Sequence, residues 1–158
     1  MTRTNFERML QLAEEVFDAA NDANQMQVDE NVIQRLIKLH PNSVGELSDA
    51  DGPYLWLLLL PTTRHIMQKF LDGSLNEKEM LDQTESIPSF DSIYLCSVML
   101  LEEFREKGLA KKITIESINA IKASHPIEAL FVWPFSEAGE KLATKVAQEV
   151  NLPLLLRK

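Results

Sequence analysis

The chain is poor in cysteine, with one residue, Cys96, among 158. A lone thiol rules out an intramolecular disulfide and leads us to expect a reducing, cytoplasmic setting. Basic residues are also scarce, 16 Lys and Arg against 24 Asp and Glu, for a formal net charge of -8. Neutralising nucleic-acid phosphates needs clustered Lys and Arg, so no nucleic-acid partner is expected. The longest candidate apolar run, residues 54–60, is far short of the roughly 20 residues that cross a bilayer. Residues 1–5 hold no apolar signal core, so neither secretion nor a membrane location is expected. His40, His65 and His125 fall at no metal-ligand spacing, and a bound metal is not expected. A Walker-type loop and a dinucleotide fingerprint are missing as well.

What is present fits an ordinary globular protein, with 45% apolar and 25% charged residues. The length suits one domain with a real core, and no repeat or linker divides it, so residues 1–158 are expected to fold as a unit. Oligomeric state is left open between monomer and homodimer. The acidic balance serves solubility or draws in a cationic partner such as an amine.

In chain order, Thr4 and Glu7 form a capping-box pattern. Phe6, Met9, Leu10, Ala13, Val16, Phe17 and Ala20 then make a helical apolar stripe ended by residues 21–24. A second helix is expected from Asp29 to just before Pro41. Residues 43–47 and 53–60, around the turn at residues 49–52, read as a hairpin that Pro61 closes. A short helix capped by Thr62 or Thr63 stops at Asp72-Gly73, and a second opens with the box Asn76 to Glu79 and runs through Leu81. Residues 83–89 are a loop.

The chemistry concentrates in residues 92–123. An apolar run, Ile93-Tyr94-Leu95-Cys96-Ser97-Val98-Met99-Leu100-Leu101, reads as a strand buried on both faces. The charged loop Glu102-Glu103-Phe104-Arg105-Glu106-Lys107-Gly108 leads into a helix from Leu109. Its first N–H groups lack carbonyl partners and the dipole there is positive, so this start can hold a phosphate or pyrophosphate. Gly108 has no Cβ to keep a ligand from the backbone. The basic residues Arg105, Lys107, Lys111 and Lys112 cluster at the same place. Beyond His125-Pro126, residues 128–133 form a strand expected to lie parallel to the first. A helix capped by Ser136 and a last strand at residues 152–156 complete an α/β pattern.

Arg105-Glu106-Lys107-Gly108-Leu109-Ala110 fits Arg/Gln-x-x-Gly-x-Gly/Ala between a hydrophobic strand and a helix. It resembles the acyl-CoA pyrophosphate loop of the GNAT superfamily of N-acetyltransferases, and the likeness is best over residues 91–146. The resemblance implies a mixed sheet with splayed parallel central strands and helices on both faces. It further implies acetyl-CoA as acyl donor, held by Val98, Met99 and Leu100 on the strand. Arg105, Glu106, Lys107, Gly108, Leu109, Ala110 and Lys111 would hold it on the loop, and the Leu100 N–H would polarise the thioester carbonyl. A primary amine on a small molecule or peptide would be the acceptor. Where the family often carries Asn and then Tyr as general acid, the spacing around Ala138 places Phe135 and Leu142. Neither donates a proton, so the alternative is a catalytically inactive GNAT-like module with an acyl-CoA-binding or regulatory role.

Candidate proton carriers are Tyr94, Glu102 and Glu103. Tyr94 is either a core residue or a proton shuttle, and the two glutamates are either a solvated loop face or bases for an incoming ammonium. Cys96 reads as an apolar filler or a nucleophile without a nearby His. Trp133 and Phe135, flanking Pro134, are core or pocket residues.

Overall fold

The computed structural model describes residues 4–16, 30–134 and 136–157. The expected stripe positions Phe17 and Ala20, the break at residues 21–24, and Asp29 and Phe135 lie outside the described residues.

Local signals set most element ends. Helix α1 (Asn5–Val16) starts where Thr4 Oγ1 accepts the Glu7 N–H at 3.1 Å. Helix α2 (Glu30–Leu39) stops ahead of Pro41, which opens a single 3₁₀ turn. Strands β1 (Val44–Asp49) and β2 (Gly52–Thr62) form the expected hairpin. Thr63 caps helix α3 (Arg64–Leu71), and the reciprocal Asn76–Glu79 box opens helix α4 (Glu77–Thr84). Strand β3 (Ser92–Leu100), helix α5 (Leu109–Ser124), strand β4 (Ala129–Val132), helix α6 (Glu137–Val150) and strand β5 (Leu154–Leu156) follow.

Strands β1, β4 and β5 shift by one or two residues at their ends, and two further ends differ from the sequence reading for a clear physical reason. Helix α4 runs past Leu81 to Thr84, whose buried Oγ1 donates to the Met80 carbonyl at 2.8 Å and lies 2.6 Å from Thr62 Oγ1. Those bonds satisfy a hydroxyl that burial would otherwise strand. Pro61 does not close β2 but pairs within it, opposite Ile93. The β1 ladder ends at Leu58, so one side of β2 is already without a partner strand where the proline sits.

The five strands make an open mixed sheet in sequence order, β1 to β3 antiparallel and β3 to β5 parallel. Each face carries a core. Leu36, Met67, Phe70 and Met80 from α2, α3 and α4 pack with Tyr94 and Phe131 on one side. Ile118, Ile121, Val146 and Val150 from α5 and α6 pack with Leu57, Ile93 and Leu130 on the other. Helix α1 sets Met9 against Met99 and Leu101 near the C-terminal end of β3. Folding brings His40 and His125 together with ring centroids 6.0 Å apart. His40 Nδ1 accepts the N–H of Asn42 within the 3₁₀ turn, while His40 Nε2 lies 3.3 Å from Ser124 Oγ and His125 Nδ1 accepts the Phe90 N–H, contacts that tie separate segments together.

Candidate functional site

Strand β3 pairs with β2 along its whole length but with β4 over only part of it. Its parallel ladder with β4 holds at Ser92, Ile93 and Tyr94, opposite Ala129, Leu130 and Phe131, and ends there. Beyond that point a cleft of about 170 Å³ lies between the two strands, with Leu95, Cys96 and Val98 on one side and Trp133 and Pro134 on the other. Leu142 of α6 helps to close it.

A bulge in β3 shapes this wall. Leu58 pairs with Ser97 and Leu59 with Leu95, so Cys96 is the extra residue. The alternation of side chains restarts beyond it, and Leu95, Val98 and Leu100 all pack on the α5–α6 face. The Leu101 N–H donates to the Tyr54 carbonyl of β2 at 3.0 Å. By strand alternation the Leu100 N–H and C=O therefore point the other way, toward the side where β4 no longer pairs. The Leu100 carbonyl accepts from Arg105 Nε at 3.0 Å, which ties the loop back to the strand end. Met99 is buried against α1, so its side chain is turned away from the cleft.

The loop after β3 is built from two left-handed residues, Glu106 at φ 64° and Gly108 at φ 75°. For Glu106 that conformation costs about 1 kcal/mol, a strain of the kind that gathers at binding loops. Gly108 is the N-cap of α5 and supplies no capping side chain. A Cβ built on it would meet nothing within 4 Å. Among the described residues, no hydrogen bond outside the helix takes up the N–H groups of residues 107–111. They border a groove of about 410 Å³ lined by Leu100, Gly108, Lys111, Lys141, Leu142 and Lys145, among others. Glu106, Leu109 and Ala110 line it too. Leu142 thus borders both groove and cleft. Orphan N–H donors, open space at Gly108 and ammonium groups suit a diphosphate.

The expected basic residues have separate fates. Lys111 Nζ pairs with Glu149 of α6 at 2.7 Å, and Lys107 Nζ lies 5.8 Å from the Phe104 ring centre. Sequence reasoning missed Lys141 and Lys145. Their signal was the four-residue spacing that puts them on one face of α6 with Ala138.

The expected proton carriers are not gathered at the cleft. Tyr94 is fully buried, and its hydroxyl donates to Oε2 of buried Glu77 at 2.5 Å. Burial, with the Glu77 charge adding to it, pushes the Tyr94 phenol well above its ordinary pKa. Glu103 is held by a bidentate pair with Arg8, at 2.6 and 2.7 Å, which draws its carboxyl down to about 2. Glu102 is exposed in the short 3₁₀ turn after β3. Cys96 is half-buried at the bulge, and burial of its thiol pushes its pKa up, with Glu77 adding to the shift.

These contacts assign Tyr94 a packing role. Tyr94→Phe is expected to cost about 1–3 kcal/mol in chemical denaturation, because Glu77 loses its O–H donor inside the core. Ligand affinity should hold. An unchanged denaturation midpoint with altered affinity would return the hydroxyl to the site. Among the described residues no group of three His, Cys, Asp or Glu side chains is arranged to hold a metal ion, and no helix is long and apolar enough to cross a membrane. No protein-family model, curated protein or solved structure matches this chain.

Proposed function

We propose that this protein binds acetyl-CoA or a related acyl-CoA thioester and transfers the acyl group to a primary amine. The observation that carries the reading is the end of the β3–β4 ladder at Tyr94 and Phe131 beside a helix start with unsatisfied N–H groups. In a GNAT-like arrangement the diphosphate rests on residues 107–111 and the pantetheine arm passes Leu142 into the cleft. The thioester carbonyl then meets the main-chain N–H of Leu100, which stabilises the oxygen as charge grows on it.

The chemistry is addition and elimination. The neutral amine nitrogen attacks the carbonyl carbon, a C–N bond forms, and the C–S bond breaks. CoA leaves as the thiolate and takes up, through water, the proton that the nitrogen sheds as the amide forms; before attack, the ammonium has given up a first proton to free its lone pair. Orientation supplies most of the acceleration. With Tyr94 bound to Glu77 and Glu103 to Arg8, Glu102 is the expected carrier left to accept that proton.

A second reading, a module that holds acyl-CoA without turnover, is favoured by Leu142. That side chain borders both groove and cleft and offers no proton to a departing thiolate. Calorimetric titration with acetyl-CoA should give a dissociation constant below roughly 1 mM. Thiol release across a panel of primary amines then separates the readings. Release supports transfer, binding without release supports the module, and no binding removes both.

A further inference from the structure

The groove beside Gly108 concentrates positive charge in a chain whose net charge is -8. Lys141 and Lys145 line it from α6 and Lys111 from α5, while Glu106 contributes one carboxylate. Lys111 is engaged by Glu149. Lys141 and Lys145 are exposed, one turn apart, and in no ion pair among the described residues.

Helix α6 presents two stripes. Gly139, Ala143 and Val146 line the cleft, Ala138, Lys141 and Lys145 line the groove, and Leu142 borders both. On the acyl-CoA reading, with the diphosphate at residues 107–111 and the pantetheine arm past Leu142, the nucleoside end would extend along the groove on the side of the α6 lysines. That end carries a 3′-phosphate monoester with a charge of about -1.5 to -2 at neutral pH. Two ammonium groups with three rotatable donors each match such a group without demanding a fixed approach.

We propose that Lys141 and Lys145 bind the 3′-phosphate, so that the protein prefers CoA to dephospho-CoA. The proposal rests on the acyl-CoA reading above. Charge-assisted bonds at an exposed site support a preference of roughly tenfold, shrinking as salt rises.

The test is calorimetric titration of the full chain with CoA and with dephospho-CoA, in low and high salt. It is repeated on the Lys141→Gln/Lys145→Gln double variant and on the Lys141→Arg/Lys145→Arg variant. The expected result is a clear preference for CoA that the glutamine variant loses and the arginine variant keeps. Circular dichroism melts check that the variants stay folded, as exposed positions should. Equal affinity of the unaltered chain for both ligands overturns this proposal and leaves the acyl-CoA reading intact. A preference that survives in the glutamine variant overturns the assignment to these lysines. Binding of neither ligand removes the acyl-CoA reading, and this proposal with it.

Discussion

Gly108→Asp is expected to weaken CoA binding at least about 100-fold, close to 3 kcal/mol, while costing little stability. Gly108 sits at φ 75° with open space where a Cβ would go, so the new Cβ meets no atom. The left-handed backbone costs an aspartate about 1–2 kcal/mol. Restricting the unfolded chain returns about 0.4–1 kcal/mol of that. The carboxylate, however, stands among the N–H groups of the first turn of α5, where the diphosphate would rest. Like charges about 4 Å apart near a protein surface repel by about 4 kcal/mol. Gly108→Asn separates charge from shape, since it adopts the same backbone and adds no charge. Calorimetry and thermal melts on both variants decide the matter. Equal losses of affinity and stability in the aspartate variant would mean that the loop is structural and holds no anion.

Phe70→Ala carries the largest expected effect on stability, about 3–5 kcal/mol. Its ring is fully buried and lies 4.9 Å from Tyr94, 5.9 Å from Phe131 and 6.1 Å from Trp133, centre to centre. The Arg157 guanidinium stacks 4.4 Å from it and 4.3 Å from Trp133. Deleting the ring opens a void under β3 and β4 and leaves the guanidinium with one aromatic face. For a chain of this size each kcal/mol lowers the melting midpoint by about 2–4 °C. Trp133 also lines the cleft, so ligand affinity should fall alongside stability. Phe70→Leu keeps most of the volume and should recover more than half of the loss. An unfolding free energy within about 1 kcal/mol of the unaltered chain's would show that the aromatic cluster is not what joins α3 to the sheet.

Both variants probe parts of the protein that differ in how far they could be read in advance. Gly108 stands in a local pattern, an apolar strand, a charged loop and a helix start, whose meaning rests on neighbours in sequence. Phe70, Tyr94, Phe131 and Trp133 were recognisable singly as apolar positions. Their meeting depends on three chain segments and on the register between β3 and β4.

The sequence by itself determined the order of helices and strands, the caps at Thr4, Asn76 and Ser136, and the turn into α5, while the choice of Thr63 over Thr62 fell to the structure. Each follows from periodicity or from a hydrogen bond spanning a few residues, forces that act before the chain has packed. Only the tertiary structure decided that Cys96 is the bulged residue and that the β3–β4 ladder stops at Tyr94. It alone paired Tyr94 with Glu77 and Glu103 with Arg8, and brought Lys141 and Lys145 to the same groove as Gly108. Those outcomes are settled by which strand registers and helix faces bury apolar surface while leaving few buried polar groups unpaired, a balance struck across the whole sheet at once.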